Sequence, residues 1–241
     1  NLEDDGFTLA ETEELTGKTD TIATANPKTY TGFTLDRTVE GTVASGNIAG
    51  DGSLVLKLYY TRNSYKVTYQ YTGKVPTGVS ELPAETTEKY GAAVTVAADA
   101  TAPGYTFSGW SRNDFTMPAE NVTITGSFTA NGDTAYTVEH YQQNVADDDY
   151  TLADTESKTG ATGQPTAAES KSYPGFTAQN FDQQTVKGDG STVVKVYYTR
   201  NEYTLTYDLN GSDASWTDSA ENKSNIYRYG AAVTILTSND L

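Results

Sequence analysis

"GDGSTVVKVYYTRN" occupies Gly188–Asn201, and "GDGSLVLKLYYTRN" occupies Gly50–Asn63. The two differ only where Leu54, Leu56 and Leu58 stand against Thr192, Val194 and Val196. The likeness runs on in both directions. "NSYKVTYQYTG" from Asn63 lies over "NEYTLTYDLNG" from Asn201, and "EKYGAAVTVA" from Glu88 lies over "YRYGAAVTIL" from Tyr227. Upstream, "DDGFTLAETEELTGKT" from Asp4 lies over "DDYTLADTESKTGAT" from Asp148, and "YTGFT" at Tyr30 over "YPGFT" at Tyr173. Between Phe33 and Gly50 the first copy carries about five extra residues, the kind of length change that surface loops absorb.

The repeating unit therefore has two unlike halves, A then B. Their order is A1 (1–63), B1 (64–132), A2 (133–201) and B2 (202–241). A2 opens with "TAYTVEHYQQN", which A1 lacks because the chain starts at the match to Asn144. B1 closes with "GYTFSGWSRNDFTMPAENVTITGSFTA", which B2 does not reach. A1 is thus expected to lack its first strand and to carry an open slot or edge, and B2 to be truncated. An open edge recruits strands, so strand exchange between chains is expected there.

Each half reads as β. "NVTITGSF" puts Val122, Ile124 and Phe128 on one face and Thr123, Thr125 and Ser127 on the other, the period of a strand with one wet side. Tyr65, Val67, Tyr69 and Tyr71 alternate in the same way, as do Val194, Val196 and Tyr198 with Lys195 opposite. "GDGS" at 50–53 and 188–191 supplies tight-turn chemistry ahead of a strand, with Asp51 and Asp189 as turn formers. About one residue in six is Thr and 18 are Tyr, a strand-favouring composition. One short helical turn over Pro165–Lys171 leaves an α+β variant open. Units of this size sit near the lower limit for a solitary core. The junctions "YYTRNSY" and "YYTRNEY" hold no Gly or Pro. The expected fold is mostly β: small modules in tandem, meeting end to end as an elongated rod with restricted bending.

The formal charge of −16 disfavours nucleic acids and anionic membrane surfaces, and no apolar run is long enough to span a bilayer. There is no Cys and one His, which removes disulfides and zinc-finger spacing together. No GxSxG, nucleophilic Cys or phosphate loop is present, and carboxylate pairs among 32 acids decide nothing. No enzymatic activity is expected. Two acidic clusters, Glu3, Asp4 and Asp5 and their match Asp147, Asp148 and Asp149, have the ligand chemistry for calcium but not EF-hand spacing; the competing reading is a solvated loop. No other cofactor is expected. His140 reads as a half-exposed strand residue rather than a zinc ligand. Trp110 reads as a packing residue of B1. The ligand-binding candidates are three aromatics. Trp216 lies in the polar stretch "GSDASWTDSAENKS" and has no aromatic match in B1. Tyr59 and Tyr197 are the outward members of the "YY" pairs.

B1 resembles the internalin-type B-repeat, or Listeria–Bacteroides repeat, through "YGAAVTVAADATAPGYTFSGW" and "MPAENVTITGSF". The A halves resemble mucin-binding-protein (MucBP-type) repeats through "YTVEHYQQN", "TGATG", "YPGFT" and "STVVKVYY", although A1 spells "TGKTD" where A2 has "TGATG". The resemblance implies β-grasp-like modules arrayed in large extracellular, wall-anchored surface proteins of Gram-positive bacteria. It brings no catalytic residues. It implies a stalk or spacer role, with adhesion to mucin or host glycans as the alternative.

Overall fold

A computed structural model describes residues 1–4, 6–207 and 224–236. It is all-β: 16 strands and, among the described residues, no helix. The chain divides into two compact units, one of 1–102 with 107–128 and one of 103–106 with 129–241.

In A1 the strands are β1 (Ile22–Thr24), β2 (Phe33–Asp36), β3 (Ser45–Asn47) and β4 (Tyr59–Arg62). They form two antiparallel pairs, β1 with β3 and β2 with β4. B1 holds β5 (Ser64–Thr72), β6 (Thr86–Lys89), β7 (Ala93–Val94), β8 (Tyr105–Phe107), β9 (Phe115–Thr116) and β10 (Val122–Ala130). Its main sheet runs β6-β5-β10-β8, with β5 and β10 parallel. A2 holds β11 (Thr134–Gln143), β12 (Tyr150–Gly160), β13 (Phe176–Ala178) and β14 (Val193–Arg200), in the order β12-β11-β14-β13 with β11 and β14 parallel. B2 contributes β15 (Glu202–Thr206) and β16 (Ser224–Arg228), an antiparallel pair.

B1 and A2, unlike in sequence, share one topology. The first and second strands form a hairpin, the fourth lies parallel to the first, and the third closes the edge. The strand order fits the β-grasp-like expectation, but the crossover that usually carries a helix between parallel strands is irregular chain here.

The expected helical turn over Pro165–Lys171 is absent because its backbone groups are taken elsewhere. Thr166 N–H donates to Gln184 O (2.7 Å) and Ala167 N–H to the Tyr136 hydroxyl (3.1 Å). The Gln183 amide grips Ala168 from both sides, accepting its N–H (2.9 Å) and donating to its carbonyl (2.8 Å). Lys171 N–H goes to the Tyr198 hydroxyl (2.7 Å). Side chains from neighbouring strands satisfy this segment, so no helical ladder forms.

The cores are small and local. In B1, Val67, Val94, Met117, Val122 and Ile124 are buried, with Tyr65, Tyr69, Val96, Trp110 and Phe115 packed on them. In A2, Tyr136, Val138, Ala168, Val186, Val194, Val196 and Tyr198 play that part. The alternation expected of Val194, Val196 and Tyr198 holds, all three being buried while Lys195 is exposed. His140 corrects its sequence reading. It is fully buried, because β11 is a central strand and His140 shares the inward face of Tyr136 and Val138. The Tyr198 hydroxyl already accepts Lys171 N–H, which leaves its own proton for His140 Nδ1 at 2.8 Å.

One polar cluster recurs in both A halves. Lys171 bridges Asp154 (2.5 Å) and Glu156 (2.8 Å). Lys28 bridges Glu11 (2.8 Å) and Glu13 (2.7 Å) at the matching positions. Hydrogen bonding to Lys171 is the main reason that the Asp154 and Glu156 carboxyls titrate below their ordinary range, and Lys171 is held above its own.

Ile124→Ala in B1 should cost roughly 2–5 kcal/mol, the range for truncating a buried Ile. Urea unfolding followed by Trp110 fluorescence in a Trp216→Phe background measures it. The carboxyls of A2 have folded-state pKa values below their unfolded ones. Their contribution is therefore present above about pH 4 and lost as pH falls through the lowered values. Lys171→Met should flatten that acid limb when urea midpoints are read from the Val194 and Val196 methyl signals.

Candidate functional site: an asparagine-centred joint

The repeated "YYTRN" ends at the border of two repeat halves, and its last two residues form a joint. In the second unit, Asn201 N–H donates to Gly175 O and Asn201 O accepts Tyr229 N–H, both at 2.8 Å. Its side-chain oxygen accepts the Thr177 hydroxyl at 2.6 Å. Arg200 reaches over with Nη1 to Tyr229 O (2.8 Å), and its guanidinium lies on the Phe176 ring at 4.7 Å. Phe176 meets Tyr229 edge to face at 6.1 Å.

The first unit builds the same joint. Asn63 N–H donates to Gly32 O and Asn63 O accepts Tyr90 N–H, both at 2.8 Å. Thr34 donates to the Asn63 side chain (2.6 Å) and Arg62 Nη1 to Tyr90 O (2.7 Å). The Arg62 guanidinium covers Phe33 at 4.9 Å, and Phe33 meets Tyr90 at 5.8 Å. The cation on an aromatic face and the Asn bonds to both segments act together, so the A half and the following B half cannot slide without losing several contacts at once.

Glycine is required at its centre. Gly175 and Gly32 have φ of 77° and 76°. A Cβ on Gly175 would stand 2.1 Å from Tyr229 Cγ, and one on Gly32 would stand 2.2 Å from Tyr90 Cγ. Both the left-handed backbone and the seat of the next half's Tyr ring exclude any side chain.

A third copy of the clasp lies within the second unit. Asn131 N–H donates to Gly104 O (2.9 Å), Asn131 O accepts Thr162 N–H (2.9 Å), and the Thr106 hydroxyl donates to the Asn131 side chain (2.7 Å). Gly104 again has positive φ, 75°. The shared signature is Gly, aromatic, Thr, and then an Asn at the following border: Gly32-Phe33-Thr34 with Asn63, Gly104-Tyr105-Thr106 with Asn131, and Gly175-Phe176-Thr177 with Asn201. Sequence reading noted the short connectors but missed this pattern, because its two parts lie far apart along the chain.

The acidic clusters lie beside the A-to-B joints. Asp147 accepts Asn144 Nδ2 (2.7 Å) and Asp149 N–H (3.0 Å), which fixes the turn between β11 and β12. Arg228 of B2 donates to Asp147 O (2.6 Å) and pairs with the Asp148 carboxylate. In A1, Asp4 accepts Asn1 Nδ2 and Gly6 N–H, both at 2.8 Å. Those bonds, with a smaller contribution from Lys89 of B1, hold Asp4 below its ordinary range. Asp5 lies outside the described residues. Among the described residues no three acidic or His side chains converge as a metal site.

Of the aromatic candidates, Trp216 lies outside the described residues. Tyr197 is half-buried, stacked on Tyr141 (5.2 Å, 25°) and met edge-on by Tyr150 (5.1 Å). Tyr59 is also half-buried, against Phe7 at 4.9 Å. The structure therefore places each in a ladder on the outer sheet face and does not bring them together. Trp110 is stacked on Tyr71 (5.8 Å, 9°) and edged by Tyr69 and Phe107, with its indole N–H on Ala98 O (3.0 Å). Asp51 and Asp189 accept the N–H of Ser53 and Ser191, both at 3.0 Å, as turn formers do.

Residues 65–132 match the family model of the divergent InlB B-repeat domain. The match covers B1 and not the A halves, whose likeness to mucin-binding repeats rests on sequence strings alone. A solved structure of Streptococcal High Identity Repeats in Tandem (SHIRT) domains 3–4 from a cell surface protein aligns with 57% of this chain and 98% of its own length. The identity is 19% and the TM-score 0.22. No curated protein sequence matches the chain.

Gly175→Ala should displace Tyr229 and break the Asn201–Tyr229 bond. Gly190→Ala, at φ 74° but with its nearest new neighbour 3.7 Å away, carries the backbone strain alone. Amide exchange at Tyr229 should rise at least tenfold in the first variant and stay within about twofold in the second, a factor of ten corresponding to about 1.4 kcal/mol.

Proposed function

We propose that this chain is a non-catalytic spacer segment of a bacterial surface protein, working outside the cell to set reach and stiffness. The observation that carries the reading is the joint. The same clasp of Gly, Thr and Asn recurs at three successive borders, twice with Arg and a Tyr carbonyl added. A binding module needs one exposed surface, and nothing in binding requires its borders to be built alike. A spacer requires just that, because one loose border would undo the stiffness of the rest.

The B-repeat match of 65–132 supports a repeat of this kind. Composition fits as well, since Thr-rich outer faces and a charge of −16 keep an exposed surface hydrated. Recognition of mucin or host glycans is the second reading. The ladder of Tyr141, Tyr197 and Tyr150, with Lys195 over Tyr141 at 5.5 Å, is the surface that favours it.

Small-angle scattering tests the spacer reading. A globule of 241 residues would have a radius of gyration of about 18 Å, whereas a spacer should exceed about 25 Å. A value near the globular figure rejects it. Saturable binding on a glycan array, lost in Tyr197→Ala, would favour the second reading.

A further inference from the structure

The A halves differ at one place, and the difference points to a binding surface. In A2, β11 lies between β12 and β14, antiparallel to one and parallel to the other. In A1 the matching segments, 7–17 and 55–62, have no strand between them, and 7–17 forms no strand of its own. Side chains bordering the gap are exposed: Leu9 by 80%, Leu15 by 82% and Val55 by 62%.

The gap also holds an orphaned donor. Arg62 Nε is buried and has no hydrogen-bond partner. Its counterpart, Arg200 Nε, donates to the backbone carbonyl of Gln143, the last residue of β11, at 2.6 Å. Tyr60 matches Tyr198. Its hydroxyl accepts Lys28 N–H (2.9 Å) as Tyr198 accepts Lys171 N–H, and in A2 that hydroxyl also meets His140 of β11. Glu13 stands where Glu156 faces His140 Nε2 at 3.6 Å, so the gap suits a His at that position in charge as well as in shape. The turn at its mouth is already set. The Asn1 amine donates to Gly6 O at 2.8 Å, as Asn144 N–H does to Asp149 O, and Thr8 bonds Asn1 as Thr151 bonds Asn144.

We propose that this slot is a docking site for one extended strand of the β11 kind, supplied by a second polypeptide. The guest runs parallel to β4. It carries apolar side chains at the positions of Tyr136 and Val138 and a His at the position of His140, and it ends in a carbonyl that Arg62 Nε receives. Strand addition at an unpaired edge supplies the backbone bonds, and the alternate side chains supply selectivity. The inference does not rest on the spacer reading.

A synthetic peptide of residues 134–144, TAYTVEHYQQN, added to the 241-residue chain is the test. One peptide should bind per chain, saturably, and should slow amide exchange in residues 55–62. The peptide with Pro at the position of Thr137 loses the donor that reaches Thr192 O in A2, and should bind at least tenfold more weakly. Ala at the position of His140 should weaken binding at least threefold. Because every change is in the peptide, the fold of the chain is untouched. No binding, binding equalled by a scrambled peptide, or protection appearing in B2 instead of A1 would each overturn the proposal.

Discussion

An asparagine whose N–H, carbonyl and side-chain oxygen are all engaged is the constraint on which the rest depends. Asn63, Asn131 and Asn201 each hold the turn of one repeat half through the Gly carbonyl and the Thr hydroxyl, and each accept an N–H further along the chain. Small β modules have thin cores and little area with which to grip a neighbour. Directional bonds at a short connector hold geometry where apolar area is scarce. Arg62 and Arg200 extend the clasp by donating to Tyr90 O and Tyr229 O, and their guanidinium faces rest on Phe33 and Phe176. The repeated "YYTRN" is thus the end of a central strand followed by its coupling, and both parts recur with the joint they build.

What was legible in the sequence was local. Period-two alternation placed Val122, Ile124, Val194, Val196 and Tyr198 correctly, and "GDGS" announced its turns. Strand order was not legible, because pairing between β11 and β14, or between β5 and β10, joins residues more than fifty positions apart. For the same reason the common topology of B1 and A2 was hidden behind two unlike sequences. His140 was misread because its burial depends on β11 being central, which no local pattern states. Pro165–Lys171 was misread because Gln183 and Tyr136, distant in sequence, take the backbone groups that a helix would have used. The joint lay half in view: its connector was seen, and its Gly–aromatic–Thr partner was not.

The polar groups follow the same economy. Lys171 with Asp154 and Glu156, and Lys28 with Glu11 and Glu13, repeat one arrangement on partly solvated ground, where ion pairs add little energy but fix the crossover against the sheet. The acidic turns bond their own backbone, and the second also engages Arg228 of the next half. Charge that looked like a ligand set in the sequence thus helps hold A2 to B2.

Nitrogen-15 relaxation on the full chain tests the coupling most directly, by comparing the rotational diffusion of A2 with that of β15 and β16, and of A1 with that of B1. Halves locked through Asn201 and Asn63 should share one diffusion tensor within each pair. Separate, faster and near-isotropic tumbling of the two members of a pair would contradict the account, since the clasps would then be contacts that hold nothing in place.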